Sequence, residues 1–574
     1  MASLRVASAA RVSPAHLILL LRTPCSASPR TTLAYRYSHL QRRHLTSDSQ
    51  NSKSKDAQSA AESSRSHYGS DAPSPSSLSS SSSSSFSSGS SSHSETSRPS
   101  TASSTTSHSP TFLDDSTVKD WEDYKYTDVA GFKDLPSRTF GVNQHMLINT
   151  ELRTAFTHLL REFRAPIMFC FAYGSGVFPQ GNNERSITDA EFRAVHPKPP
   201  EALRLTQKGN PKMIDFIFGV SHTEHWHWLN MKQHRDHYSG IASLGSGAVA
   251  AVQEKFGAGV YFNPYVVVNG MLIKYGVTSI NNLCHDLANW DTLYLAGRLH
   301  KPVKILRDNA AVRIANQQNL VGAVRTALLM LPEVFSEFDL FSTIAAISYL
   351  GDPRMALPTE NRNKVNNIVT NNLVNFRRLY APLIDKLPNI HYIDEIALGS
   401  DEWLESSRNH MLMQDMDLVK RANMVRRLPS AFRQRLYFLY QGKFRMTRSE
   451  FNKLMEESAD EDANGFKRRQ GGPFEMRIAE DSSHDLQDMV RKAIKKTISW
   501  PSTTQSAKGL VTAGFSRTMR YVGEKLDRYK ESSGKKKAES KAESKPEEAA
   551  GEKSGDSEKK VEKTNEANDE KKST

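Results

Sequence analysis

Cysteine is scarce in this 574-residue chain: Cys25, Cys170 and Cys284 are all there are. Thiols so few and so far apart build neither a disulfide framework nor a cysteine-based metal site. Cys170 and Cys284 sit in apolar surroundings and read as buried, reduced thiols. Long apolar runs are missing too. The best candidates, such as Phe341 to Leu350, fall well short of the ~20 residues of a membrane span. Acid is absent ahead of Asp48, while Arg5, Arg11, Arg22, Arg30, Arg36, Arg42 and Arg43 all precede it. An Arg-rich, Ser-rich, acid-free start is the signature of a mitochondrial transit peptide, assigned here to residues 1–46. Zinc chemistry has little to stand on. His222, His225, His227, His234 and His237 have no cysteine nearby, and neither an H-E-x-x-H nor a finger spacing occurs among them.

Composition then divides what is present. Residues 47–111 are dominated by serine and cannot bury enough apolar surface to offset their ordering entropy, so a disordered linker is expected. Residues 531–574 are dense in Lys and Glu and are expected to be a charged, disordered tail. The formal net charge of +13 points to an anionic partner: a nucleotide, a nucleic acid or an acidic lipid surface.

Between these ends, apolar periodicity predicts a helix over 145–164, a strand from Ile167 to Tyr173 and a second strand from Met213 to Phe218. The polar, aperiodic stretch 181–211 between the strands is expected to be a loop. Val260 to Val268, Asn269-Gly270 and Met271 to Val277 read as a hairpin, since Asn-Gly between β-rich runs is the strongest short-range hairpin signal. One helix is expected over 279–299, and helices dominate from Gln317 to about Tyr440. The predicted architecture is α+β. A domain at 112–310 precedes a mostly helical one at 311–440, a polar insert at 441–488 and a basic amphipathic segment at 489–530.

The first strand runs into Gly174-Ser175-Gly176, a turn whose backbone amides suit a phosphate. Asp215 is the one acid in the apolar run Met213 to Phe218, where an ionised carboxylate needs a metal or an ion-pair partner. Strand alternation puts Ile217 on the same face, so a two-carboxylate site lacks its second member there. Asp286 and Asp291, on the following predicted helix, are the alternatives, with Asp286 taken as the second ligand. Lys274 on an apolar strand is either a phosphate ligand or a snorkelling edge residue. Arg298 and Lys301 form a candidate anion clamp. A strand, a Gly-Ser turn and an acid on the next strand together outline a metal-dependent nucleotidyltransferase site. Farther on, Val511, Phe515, Met519, Val522 and Leu526 alternate with Lys508, Arg517, Arg520, Lys525, Arg528 and Lys530 in a pattern that suits either an anionic bilayer or the protein core.

Several stretches in one order resemble a known family. They are Phe171-Ala172-Tyr173-Gly174-Ser175-Gly176-Val177-Phe178, Ile214-Asp215-Phe216, Leu272-Ile273-Lys274-Tyr275-Gly276-Val277, Leu295 to Lys304, and Ser348 to Arg354. Together they look like the mitochondrial phosphatidate cytidylyltransferases, the translocator assembly and maintenance family. The resemblance covers about Leu147 to Leu387 and returns weakly at 489–522. It implies a nucleotidyltransferase-fold domain followed by a winged-helix-like domain. It also implies magnesium, and CTP plus phosphatidic acid as substrates giving CDP-diacylglycerol that feeds cardiolipin synthesis. The implied location is peripheral, on the matrix side of the anionic inner mitochondrial membrane. Two rivals stay open. An RNA nucleotidyltransferase would want an acidic pair and a base-stacking basic domain, neither of which stands out, so no nucleic-acid partner is expected. A non-enzymatic inner-membrane assembly factor would not need Asp215.

Overall fold

The apolar run Phe169–Tyr173 forms strand β1, buried over nearly its whole length because it lies inside a mixed sheet. In the computed structural model the described residues are 120–181, 187–207, 210–356, 363–394, 400–457 and 470–514, with 517, 519, 520 and 523. The transit-peptide, Ser-rich and charged-tail assignments lie outside them, as do Phe515, Val522 and Leu526.

The sheet has five strands in the order β3-β4-β2-β1-β5, with β2 at Ile214–Val220, β3 at Tyr261–Val268, β4 at Met271–Ser279 and β5 at Lys304–Arg307. β1 is antiparallel to both β2 and β5, whereas β2 and β4 are parallel. The predicted hairpin is present. Asn269 and Gly270 both take positive φ, 47° and 74°, as a type I′ turn requires. The predicted first helix spans Thr150–Arg161, capped by Asn149, and its Phe156 packs edge-on against Phe216 of β2.

Three expectations are revised. The stretch 181–211 is not a plain loop, for helices cover Asp189–Val195 and Glu201–Gln207. Their polar residues stitch the sheet. His196 Nδ1 accepts from the Leu272 amide, and the Gln207 side chain bonds both Gly176 O and the Lys212 backbone. The single helix over 279–299 is instead Ile280–Asn289 and Ala296–Leu299, broken at Trp290, which takes φ 59°. The polar insert at 441–488 includes the helix Pro473–Ala479, whose Phe474 and Ile478 are core residues.

The helical half begins with Ala310–Leu328, buried on nearly all sides because it packs on Ile280–Asn289 and on Glu337–Ile347. A small antiparallel sheet, with Val334–Ser336 and Ile390–Tyr392 flanking Met411–Gln414, accompanies these helices. The helix Ser483–Ala513 closes the fold against β3 and the Ser430–Lys443 helix. No helix among the described residues is long and apolar enough to cross a membrane.

Candidate functional site

The β1 turn, β2 and β4 bring the first three site elements together. Asp215 pairs in register with Tyr173 on one side and Lys274 on the other. Alone in β2, Asp215 is not buried, because it sits where the strand meets a cleft. Lys274 Nζ lies 3.4 Å from Asp215 Oδ1 and 4.7 Å from the centre of the Phe262 ring. Gly174 takes φ 80°, and its carbonyl closes the turn by accepting from the amides of Val177 and Phe178. The Ser175 and Gly176 amides have no acceptor among the described residues, which suits a phosphate nest.

The cleft, of about 250 Å³, is bordered by Gly174, Ser175, Asp215 and Lys274 from the sheet, Arg298 and Lys301 from the segment after Trp290, and Asp352, Arg354 and Lys364 from the helical half. Gly176 is not among its walls. A Cβ on Gly176 would lie 2.9 Å from Met213 O and 3.2 Å from Ile214 Cα, so this glycine is required by close approach of the turn to β2. Gly176→Ala is expected to destabilise the fold by about 1–3 kcal/mol in denaturant titrations, since backbone rather than a flexible side chain must give way.

Arg298 is half-buried, its Nε 3.2 Å from Tyr173 Oη and its guanidinium 3.9 Å from the Tyr294 ring centre. Lys301 Nζ donates to Gly297 O and Ser348 Oγ and lies 5.0 Å from the Tyr349 ring. Burial, then the charges of Arg298 and Lys364, push the Lys301 ammonium down to about 7. Neither Arg298 nor Lys301 has a carboxylate partner among the described residues, an arrangement that favours an incoming anion.

Asp286 does not join the cleft. Its Oδ1 accepts from the amides of Thr292 and Leu293 and the Thr292 hydroxyl, and its Oδ2 from the amides of Leu295 and Ala296. Both oxygens are thus spent on the turn that leads to Arg298, so Asp286, expected as the second metal ligand, is not brought together with Asp215 in the cleft. Asp291 is engaged by His285. The acid that joins Asp215 at the cleft is Asp352, which the sequence offered only within the family-like stretch Ser348 to Arg354 and without a role of its own. One His/Asp group, His234, Asp236 and His237, is compact enough for a metal. Its two rings, however, stack in parallel at 4.4 Å with an interplanar angle of 1°, so their in-plane lone pairs do not converge on one ion.

Asp215 can hold a hard divalent cation through one carboxylate while substrate phosphates complete the shell, the usual arrangement for magnesium. Lys508, in the segment whose pattern suits either a bilayer or the core, is buried and donates to Gln253 O and Phe256 O at the end of the Ser246–Lys255 helix.

Comparison with known proteins matches the sequence to a family. A family model described as mitochondrial phosphatidate cytidylyltransferase matches residues 156–528. The mitochondrial phosphatidate cytidylyltransferase of Schizosaccharomyces pombe is 37% identical over 385 residues, covering 67% of this chain and 86% of the relative. Its Mus musculus counterpart is 35% identical over 373 residues, covering 64% and 93%. With Gly174, Asp215, Lys274 and Arg298 gathered in one cleft within the matched span, the chain belongs to the mitochondrial phosphatidate cytidylyltransferase family.

Proposed function

We propose that this protein transfers the cytidylyl group of CTP to phosphatidic acid, releasing pyrophosphate and CDP-diacylglycerol. The observation that carries the reading is the single cleft in which Asp215, Lys274 and the glycine turn meet the cations Arg298 and Lys301. In this reading the five-stranded sheet is a nucleotidyltransferase fold and the helical half with its small sheet is the winged-helix-like part. The Ser175 amide, on the turn that Gly174 and Gly176 shape, and Lys274 hold the triphosphate. Asp215 holds magnesium, which when bound neutralises charge on the α-phosphate and the leaving pyrophosphate. A phosphate oxygen of phosphatidic acid forms the new bond to the α-phosphorus. The bond from that phosphorus to the α–β bridging oxygen breaks, and the electron pair leaves with pyrophosphate. Because the nucleophile is already anionic, the residues act by positioning and charge neutralisation rather than as a general base. The setting proposed is the matrix face of the inner mitochondrial membrane. Exposed Leu510 and Met519, with Arg520, lie on the segment that would meet the lipid surface.

The test incubates the full chain with labelled CTP, magnesium and either phosphatidate vesicles or RNA. Label in a lipid-soluble CDP product supports the reading; label in RNA alone overturns it. A pH prediction accompanies it. Lys301 attracts phosphate only when protonated, and in the free enzyme it is half-deprotonated at about 7. So kcat/KM for phosphatidate is expected to be flat below that pH and to fall ~10-fold per unit above it. In the complex, the bound anion raises the lysine again, so the limb in kcat moves to higher pH. Lys301→Arg should abolish the limb in kcat/KM, because a guanidinium stays charged.

A further inference from the structure

Arg354 enters the cleft from the turn Gly351-Asp352-Pro353-Arg354, and that turn is fastened to the C-terminal helix rather than to the sheet. Asp352 is 8% exposed and accepts from Arg354 Nε with both oxygens, at 3.0 and 3.1 Å, and from Nη2 at 2.6 Å. Its Oδ1 also accepts from Ser502 Oγ at 3.2 Å, across 150 residues of sequence. Ser502 is 2% exposed and lies in the Ser483–Ala513 helix. One turn back, Ser499 Oγ donates to Gly351 O at 3.1 Å. A Cβ on Gly351 would meet Ile498 Cβ, Lys495 Cα and Lys495 O, each at 3.0 Å. Burial raises the Asp352 carboxyl, and the Arg354 and Ser502 hydrogen bonds outweigh it and hold the group below the usual carboxylate range. The carboxylate is therefore ionised and orients Arg354, whose side chain is still 42% exposed and open to a ligand.

The electrostatics say what that ligand is. Arg298, Lys301, Arg354 and Lys364 border the same cleft, with Lys301 and Lys364 both against the Tyr349 ring, at 5.0 and 5.2 Å. Of the two carboxylates among the described residues that line the cleft, Asp215 pairs with Lys274 and Asp352 is committed to Arg354. Such a cluster is a phosphate dianion site. Asp215, Lys274 and the turn already serve the triphosphate, which leaves these cations for the second substrate.

We infer that Asp352 and Ser502 are positioning residues that make the phosphatidate subsite depend on the seating of the C-terminal helix. Arg354 is the guanidinium they aim at the lipid phosphate. The inference rests on the cytidylyltransferase reading of the cleft. A helix that leaves its seat takes the Ser502 hydroxyl with it. Arg354 then keeps its carboxylate but loses its fixed direction, while Asp215, Lys274 and the glycine turn are untouched. The lipid subsite is thereby complete only when the helix that leads toward the lipid surface is docked.

The test measures both Michaelis constants in the full chain for Ser502→Ala, Asp352→Asn and Gly351→Ala, with Ser502→Thr as the variant that keeps the hydroxyl. Each of the first three should raise KM for phosphatidate ~10-fold while KM for CTP stays within about twofold, and Ser502→Thr should restore the wild-type value. Equal rises in both constants, no change in either, or a lowered melting temperature as the sole effect of Ser502→Ala would overturn the proposal. A second arm needs no turnover: calorimetric binding of dihexanoyl phosphatidic acid and of inorganic phosphate to wild type and Ser502→Ala. Weaker binding of both by the variant supports the wiring even if no CDP-lipid forms, a result that would sink the reaction while sparing the anion site. Equal binding by the two proteins refutes the wiring even where the reaction is confirmed. Binding of the lipid but not of phosphate assigns the ligand to a lipid headgroup rather than free phosphate.

Discussion

Asp215→Asn lowers kcat by on the order of 10³-fold while leaving the protein folded. The size follows from what the carboxylate faces. It stands at the cleft end of β2, next to Lys274 at 3.4 Å and opposite the turn whose amides await a phosphate. Asparagine keeps the shape and removes the charge, so under the proposed assignment the cation would lose its protein anchor and the triphosphate its alignment with the attacking oxygen. The stability cost is small because the pair is partly exposed, 28% on the Asp215 side, and such pairs contribute about 0–1 kcal/mol. Single-turnover assays with CTP and phosphatidate, beside a denaturant titration, separate the two effects. A variant that retains most of its turnover would remove Asp215 from the chemistry. It would favour the non-enzymatic assembly factor that the sequence left open.

The strands of the site were legible for a simple reason: each is a short apolar run with one residue out of place. Phe169–Tyr173 and Ile214–Val220 are buried strands, and the acid in the second can be there only for a partner or a ligand. Asn269-Gly270 fixed the hairpin that carries Lys274, because positive φ at both positions is what that dipeptide tolerates. The helices at 189–207 were hidden by polarity. His196 and Gln207 look like loop residues in a periodicity count, yet they are buried and spend their polar atoms on backbone groups of the turn, of β4 and of Lys212. Arg298 and Lys301 were legible as charge near a helix end. The far wall of the cleft was not. Asp352, Arg354 and Ser502 converge from distant positions, and a Gly-Asp-Pro-Arg break followed much later by a serine in a long helix carries no spacing signal. What could have flagged them is Gly351 just past the end of the apolar helix Glu337–Ile347, where a Cβ would press on Lys495 and Ile498 at 3.0 Å.

Asp286→Ala should do the opposite of Asp215→Asn: a loss of about 3–5 kcal/mol in unfolding free energy, with kcat of the folded fraction retained. Sequence spacing offered Asp286 as a second metal ligand, since an acid on the helix after β4 is close in number to Lys274. The folded chain uses it otherwise. The helix ends when Trp290 turns left-handed, and the amides of Thr292, Leu293, Leu295 and Ala296 then point back at one buried carboxylate. Alanine leaves these donors without an acceptor in a site only 4% exposed, and each buried orphan carries its own desolvation penalty. Asparagine restores acceptors on one side only, so Asp286→Asn should fall between wild type and alanine. Tyr294 and Arg298 ride on this turn, so the variant assayed at low temperature should show KM for phosphatidate rising before KM for CTP. Magnesium titrations decide the assignment. A ligand would show weakened magnesium dependence in a stable Asp286→Ala protein, whereas a residue that organises the turn leaves the magnesium dependence of the remaining folded fraction unchanged and lowers the denaturant midpoint.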